Sequence, residues 1–240
     1  MKLDIYKNTK VLVTGSTGFK GSWLAFWLHS LGANVVGIGL KPEKHSFIFK
    51  SLTLNQFIKQ YYMNITNKKK LNEVVSKEKP DIIFHLAAQS IVSQSVIDPV
   101  ETFESNVMGS VNILQIFKEN NINSLVFCSS DKCYKNNEWI WGYRETDLLG
   151  GKDPYSASKS AAEIIFNSFC KTYFINNKFN ALGSVRAGNV IGGGDFKKHR
   201  IIPDIIKSIT NNKNLTLRNP KSTRPWQHVL DPLYGYLLLG

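Results

Sequence analysis

Short apolar runs alternate with longer segments of helical periodicity along most of the chain. The runs occupy residues 11–13, 35–38, 82–84, 125–127 and 181–185. Between them, residues 18–31, 71–75, 100–120 and 155–173 place apolar side chains at helical spacing, while residues 41–62 show neither pattern. Strands that alternate with helices form a parallel sheet covered on both faces, so the sequence predicts an α/β fold with a doubly wound sheet.

The first apolar run ends in a glycine-rich loop that opens the first helix. This loop has the sequence Thr14-Gly15-Ser16-Thr17-Gly18-Phe19-Lys20-Gly21. Glycines let the backbone turn sharply, and they let a pyrophosphate approach the free N–H groups at a helix N-terminus. A strand, a loop and a helix in this order predict a dinucleotide site in a Rossmann-type sheet. A plain turn is the alternative for the loop taken alone.

Tyr155 and Lys159 are four residues apart and therefore lie on one face of the predicted helix 155–173. A tyrosine is a poor base near neutral pH, because its phenol has a pKa of about 10. A nearby ammonium favours the phenolate, so we expect Lys159 to lower the pKa of Tyr155. Such a tyrosine can accept a proton from a sugar hydroxyl as a hydride leaves the same carbon. An ordinary surface pair is the alternative.

The T-G-x-x-G-x-x-G loop and the Y-x-x-x-K pair together resemble the extended short-chain dehydrogenase/reductase family. The resemblance implies an NAD-binding Rossmann domain over residues 1–188, with Ser130 completing a catalytic set with Tyr155 and Lys159. His85 is interpreted as a core histidine without a catalytic role. The cofactor contacts that the resemblance implies are Thr14, Gly15, Thr17, Gly18, Phe19, Gly21, Asn64, Ile65, Leu86, Ala87, Ala88, Tyr155 and Lys159.

The end of the second predicted strand departs from the usual pattern. An acidic residue that binds the ribose 2′-OH of NAD is expected there, but residues 37–42 contain none. Lys41 or Lys44 would favour the 2′-phosphate of NADP, whereas the family resemblance favours NAD. We therefore predict NAD, with NADP as the alternative.

Asp131 and Lys132 directly follow Ser130. A 4,6-dehydratase needs an extra base and an extra acid near the hexose, and two titratable groups at this position supply them. The segments 130–134 and 139–145 resemble the branch of the family that dehydrates CDP-glucose at C4 and C6. The resemblance implies Lys132 as the base at C5, Asp131 as the acid at C6, and a role in deoxysugar and cell-surface polysaccharide synthesis. An exposed ion pair is the alternative.

Residues 189–240 are expected to begin a smaller sugar-nucleotide domain that is incomplete here. Asn189 and Arg224 match family positions that contact the substrate pyrophosphate, and arginine suits phosphate through its planar fork. Arg186 is placed with them, with a structural ion pair as its alternative. Asn106 joins the substrate residues by resemblance, with a solvated helix asparagine as its alternative.

The composition limits the other classes of function. The net charge of +12 is scattered along the chain, which disfavours a nucleic-acid binder. Three cysteines without metal-ligand spacing predict reduced thiols and no metal site. We expect a cytoplasmic enzyme without a membrane span, with CDP-glucose as its substrate and a dimer or tetramer as its assembly. The alternatives are another nucleotide-sugar dehydratase, an epimerase, a reductase or a non-catalytic sensor.

Overall fold

The computed structural model describes residues 3–42, 47–175, 180–197, 200–217 and 220–240. Its main sheet has six parallel strands in the order β3-β2-β1-β4-β5-β6, which confirms the predicted doubly wound fold. The strands are β1 Lys10–Thr14, β2 Asn34–Gly39, β3 Lys59–Tyr62, β4 Ile82–His85, β5 Ser124–Cys128 and β6 Ala181–Val185. Strand β3 was not predicted, because it pairs only with β2 at the sheet edge and carries no apolar run.

Helices cover both faces of this sheet. The helices are α1 Phe19–Ser30, α2 Phe47–Ser51, α3 Lys68–Glu78, α4 Val92–Ile97, α5 Pro99–Phe103, α6 Gly109–Glu119, α7 Pro154–Phe169, α8 Ile201–Thr210 and α9 Leu230–Leu239. The helix predicted over residues 100–120 consists of α5 and α6 joined by a π-helical turn, Glu104–Met108. The end of α7 likewise passes into a π-helical turn, Cys170–Phe174.

The core has one layer on each face of the sheet. Val11 and Val13 of β1 point into the layer that includes α1 and α9, whereas Leu12 points into the layer that includes α3, α6 and α7. This alternation is the period-two pattern of a strand whose two faces are both buried.

A second, two-stranded sheet pairs β7 Asn189–Ile191 with β8 Trp226–His228. Helix α9 follows β8 but packs back onto the main core, where the Tyr6 hydroxyl donates to the Leu237 carbonyl at 2.7 Å. The predicted domain boundary, after residue 188, thus lies directly before the small sheet. Helix α9 follows this sheet in the chain but packs on the core of the main sheet.

Candidate active site

The glycine loop connects the end of β1 to the start of α1 in a close-packed arrangement. Gly15 has a φ of 76°, and a Cβ added there would lie 2.8 Å from the backbone nitrogen of Ala87. A Cβ on Gly21 would lie 2.0 Å from the carbonyl oxygen of Gly15. Both positions therefore require glycine, because a side chain on Gly15 would push away the loop after β4 and one on Gly21 would push α1 away from the strand end.

The first turn of α1 offers an anion site. Gly18 is its N-cap and provides no side-chain hydrogen bond to the helix. Helix N-termini carry unpaired N–H groups and a partial positive charge, which suit a phosphate. A tight glycine cradle in front of this helix therefore fits the pyrophosphate of a dinucleotide. Thr17 packs over the end of β2, where a Cβ on Gly39 would lie 2.6 Å from the Thr17 hydroxyl oxygen.

Thr14 ties the glycine loop to the loop that follows β4. The backbone N–H of Leu86 donates to the Thr14 carbonyl at 3.1 Å, and that of Ala87 donates to Thr14 Oγ1 at 3.2 Å. Thr14 Oγ1 also lies 2.8 Å from His85 Nδ1. Burial, aided by the charge of Lys159, lowers the pKa of His85 to about 3. His85 is thus a neutral core residue that braces the glycine loop and the loop after β4, and the half-buried Ala88 continues the second of them.

The remaining predicted cofactor residues have local partners. Asn64 uses its side-chain oxygen to accept the Thr66 N–H at 3.1 Å. Ile65 is buried in the core, and its carbonyl accepts a hydrogen bond from Asn112. Lys41 is exposed just beyond β2, while Lys44 lies outside the described residues.

Tyr155 lies in the first turn of α7, whose N-cap Asp153 accepts the Ser156 N–H at 3.0 Å. Its side chain is buried. Burial raises the pKa of Tyr155 above its ordinary value, although the nearby Ser130 side chain opposes the rise. The expected lowering of this pKa by Lys159 is therefore wrong for the protein without its cofactor.

Lys159 is buried one turn along the same helix. Desolvation, reinforced by the neighbouring charge of Lys20, lowers its pKa to about 8. Lys20 comes from the glycine loop, and its own pKa is lowered by burial. Its Nζ lies 3.4 Å from the Tyr236 hydroxyl of α9. The buried Lys159 and the half-buried Lys20 thus lie near the end of β5, where they favour an anionic or phenolate partner.

Ser130, Asp131 and Lys132 form a compact network directly after β5. Lys132 Nζ lies 2.9 Å from both carboxylate oxygens of Asp131 and 3.3 Å from the side-chain oxygen of Asn189. The Ser130 hydroxyl donates to Asp131 at 3.1 Å. The structure therefore brings three of the predicted catalytic residues together, and it adds Asn189 as a partner of Lys132.

Asn106 does not face the site as a substrate ligand. It lies in the π-helical turn, where it is buried and its oxygen accepts the Gln89 N–H at 2.8 Å. Its amide donates to the Gln89 carbonyl at 3.0 Å and to the Ser158 hydroxyl at 2.9 Å. The substrate-binding expectation is corrected on this geometry, because the side chain is occupied in joining the β4 loop to α7.

Arg186 is also committed to the protein itself. Its guanidinium donates to Glu163 at 2.7 Å, to the Tyr134 hydroxyl at 3.0 Å and to the Glu145 carbonyl at 3.0 Å. The expected phosphate contact is therefore replaced by the structural ion pair that was its alternative. Arg224, in contrast, is exposed two residues before β8, where the β7–β8 pairing brings it near Asn189.

Two cations in this region were not singled out from the sequence, Lys20 and Arg200. Arg200 donates to Asp195 at 2.7 Å and to the Ser90 hydroxyl at 3.3 Å, and its charge acts on Tyr155 and Lys20. The sequence could have indicated Lys20 as a site residue, since it is the one charged residue in the glycine loop. No sequence pattern indicated Arg200, because only folding brings it close to residues far away in the chain.

Within the described ranges, no helix is both long and apolar enough to cross a bilayer. Nor do those ranges contain a cluster of three or more His, Cys, Asp or Glu side chains arranged to hold a metal ion. The three cysteines are free thiols.

Comparisons with known proteins agree with this geometry. Residues 11–239 match the NAD dependent epimerase/dehydratase family. The chain is 46% identical to a CDP-glucose 4,6-dehydratase of Salmonella typhimurium, over 99% of this chain and 67% of that protein. It is 29% identical to a dTDP-D-glucose 4,6-dehydratase of Dictyostelium discoideum, over 92% of this chain and 53% of that one. The chain thus spans about two thirds of the first relative and about half of the second.

A solved structure shares the fold. The dTDP-glucose 4,6-dehydratase DesIV of Streptomyces venezuelae, determined as a double mutant with NAD and DAU bound, superposes with a TM-score of 0.83 at 22% identity. The match covers 96% of this chain and 72% of that structure.

Proposed function

This chain belongs to the NAD-dependent epimerase/dehydratase family, and from that membership we propose that it converts CDP-glucose to CDP-4-dehydro-6-deoxyglucose and water. The observation that carries the proposal is the Asp131–Lys132 pair beside Ser130, with Lys132 Nζ at 2.9 Å from both carboxylate oxygens. An epimerase or a reductase needs only the serine, tyrosine and lysine. The extra acid and base are what the removal of water requires.

NAD fits the glycine cradle and the free start of α1, and when bound it accepts the hydride from C4 of the sugar and returns a hydride to C6. We assign its pyrophosphate to residues 14–21, and its ribose and nicotinamide side to Tyr155, Lys159 and residues 86–88. The family description and the relatives support NAD over NADP.

In the first step, Tyr155 accepts the proton of the C4 hydroxyl while Ser130 orients that hydroxyl. Burial raises the pKa of Tyr155, so the phenolate needs nearby positive charge, which Arg200 supplies in this structure and which we assign to Lys159 as well in the reaction. The product of this step is a C4 ketone, which acidifies the neighbouring C5–H bond.

In the second step, Lys132 removes the C5 proton and Asp131 protonates the departing C6 hydroxyl. Lysine is a base only when neutral, and a carboxyl group is an acid only when protonated. Both conditions are met when one proton crosses the 2.9 Å hydrogen bond from Lys132 to Asp131. The C5 proton then returns from Lys132 as C6 is reduced. The pair has by then given one proton to the departing water and Tyr155 has gained the C4 hydroxyl proton, so a transfer of one proton from Tyr155 to the pair through solvent restores the site, and the substrate loses one water in net.

The nucleotide half of the substrate is assigned to the small sheet. Arg224 is exposed beside β8 and its fork suits a pyrophosphate. Asn189 turns its oxygen to Lys132, which leaves its amide N–H₂ to donate to a phosphate. We place residues 1–188 in the cofactor domain and residues 189–240 at the start of the substrate domain. Reduced thiols agree with a cytoplasmic enzyme.

The direct test is incubation of the purified protein with NAD and, separately, CDP-, dTDP-, UDP- and GDP-glucose. We expect loss of one water, detected by mass spectrometry, with CDP-glucose as the preferred substrate and NAD bound more tightly than NADP. Formation of an epimer of unchanged mass would identify the protein as an epimerase. Preferred turnover of dTDP-, UDP- or GDP-glucose would show that CDP-glucose is not its substrate.

Tyr155→Phe tests the assigned first base. Phenylalanine cannot accept the C4 proton, so we expect reduction of the bound cofactor in a single turnover to be abolished while sugar-nucleotide binding survives. Tyr234→Phe is the matched control, because Tyr234 is half exposed on α9. Undiminished reduction in Tyr155→Phe would show that another group is the base.

A further inference from the structure

Arg186 contacts three segments that are far apart in the chain. Its side chain leaves the end of β6 and donates to Glu163 on α7, to the Tyr134 hydroxyl and to the Glu145 carbonyl. The same guanidinium stacks on the Tyr134 ring, with 5.0 Å from its central carbon to the ring centre. One side chain therefore links α7 to both ends of the loop 135–149.

The contacted segments carry the two halves of the candidate active site. Tyr134 is two residues after Lys132, in the segment that begins at Ser130. Glu163 lies four residues after Lys159 on α7, one helical turn further from Tyr155. The position of Ser130–Lys132 relative to Tyr155 and Lys159 thus depends on how these segments are fixed together.

The ion pair is buried to an extent that disfavours a purely stabilising role. The side chains of Arg186 and Glu163 are 11% and 0% exposed, and their closest atoms are 2.7 Å apart. Within the described part of the chain, Arg186 Nε and Glu163 Oε1 have no hydrogen-bond partner. Burying two charges is unfavourable, and incomplete hydrogen bonding offsets only part of that cost. Such pairs contribute more to a defined geometry than to net stability in some proteins.

We propose that Arg186 is a positioning residue that holds the Ser130–Lys132 segment in register with the α7 helix that carries Tyr155 and Lys159. This role rests on the proposed function, since it acts on the residues assigned to the reaction. It differs from a phosphate ligand in its kinetic effect. Removal of a residue that binds the substrate phosphate changes KM, whereas displacement of a catalytic base or acid lowers kcat at nearly constant KM.

The experiment compares Arg186→Met, Arg186→Lys and the double variant Arg186→Met/Glu163→Leu. The single Met variant leaves Glu163 buried and unpaired, so we expect it to unfold at a lower temperature. The double variant removes both charges, and apolar replacements of buried ion pairs are often neutral or stabilising. Arg144→Met is the matched control, because Arg144 is exposed on the same loop.

For the double variant we expect a Tm near that of the wild type, a KM for CDP-glucose within about threefold, and a kcat lowered about 10- to 100-fold, as small misplacements produce. Arg186→Lys, which keeps the charge but not the fork, should recover Tm and only part of kcat. Full recovery of kcat in the double variant would overturn the proposal, and so would a raised KM with unchanged kcat.

Amide hydrogen exchange supplies a readout that does not depend on turnover. We expect faster exchange in residues 130–134 and 154–160 of the double variant, with the rest of the sheet unchanged. If the wild-type protein turns over no sugar nucleotide, the proposed function fails, and the exchange measurement still decides the positioning role. Unchanged exchange in both segments would refute that role.

Discussion

Two lysines in the site have opposite relations to their surroundings. Lys132 is half-buried and lies against the Asp131 carboxylate and the side-chain oxygen of Asn189. Lys159 is buried, and desolvation lowers its pKa to about 8. A base at C5 is needed only after C4 has become a ketone, so substitution of Lys132 should leave the first step intact.

Lys132→Met should slow water loss by about 10²–10⁴-fold, the usual contribution of general acid–base catalysis. Reduction of the bound cofactor by CDP-glucose should persist, so an oxidised sugar should accumulate. The measurement is solvent deuterium exchange at C5 alongside single-turnover cofactor absorbance, with the exposed Lys152→Met as control. Normal C5 exchange in Lys132→Met would identify Lys132 as a positioning residue only.

Lys159→Met should stabilise the protein in the absence of cofactor. The folded-state pKa of Lys159, about 8, lies below its ordinary value of 10.5, so its charged form destabilises the folded state. The variant should gain about 3 kcal/mol at pH 7, at 1.36 kcal/mol per pKa unit. Because the unfolded chain keeps this proton longer, the wild type should regain stability as pH rises from 8 to above 10.

Urea unfolding at several pH values measures this gain, and activity should be lost in the same variant. Lys152→Met is the control, since that side chain is 79% exposed. If the free energy of unfolding gained by Lys159→Met stayed constant between pH 7 and pH 10, the lowered pKa could not belong to Lys159.

Among the elements, the loop between β1 and α1 is the most tightly constrained. The helix starts directly against the strand end because Gly21 leaves room for the Gly15 carbonyl. Gly15 in turn leaves room for the loop after β4. The anion site at the start of α1 therefore depends on two close backbone approaches rather than on any side chain.

Gly21→Ala should weaken NAD binding, because its Cβ would lie 2.0 Å from the Gly15 carbonyl and would displace the first turn of α1. We expect the Kd to rise about tenfold or more, equivalent to about 1.4 kcal/mol. Isothermal titration measures it. Gly142→Ala is the control, since a Cβ there meets no atom within 4 Å. Equal affinities in the two variants would contradict the assigned pyrophosphate site.

The molecule as a whole exposes apolar side chains on neighbouring helices. Val96 and Ile97 of α4, Val100 of α5 and Ile164 of α7 are between 58% and 76% exposed, and these three helices pack against one another. Apolar side chains exposed together on adjoining helices are typical of a protein–protein interface. Tyr173 is 46% exposed in the π-helical turn that follows α7, whereas Phe166 is buried in the core and Phe169 and Phe174 pack against it.

We predict a homodimer or larger assembly through this surface. Ile97→Asp combined with Ile164→Asp should give a monomer, because charges in an apolar interface are left unpaired. Light scattering measures the mass, and Ile140→Asp is the control on an exposed loop that lies elsewhere in the chain. A monomeric wild type would refute the prediction.

The sequence by itself determined the features that depend on residues close together in the chain. The alternation of strands and helices, the glycine loop, the Tyr155–Lys159 pair and the Ser130–Lys132 segment are all local, because their spacing alone sets which strand end or helix face they occupy. The polar edge strand β3 lacked such a pattern and was missed.

Tertiary structure alone decided what each long polar side chain contacts. Arg186 and Asn106 resembled substrate ligands, but folding brought Glu163 to the first and Gln89 to the second, so their hydrogen-bonding groups are used internally. Arg200 came to the site from a distant segment, where its charge acts on Lys20 and Tyr155. The direction of the Tyr155 pKa likewise followed from burial, which depends on every element packed around the phenol rather than on its neighbour four residues away.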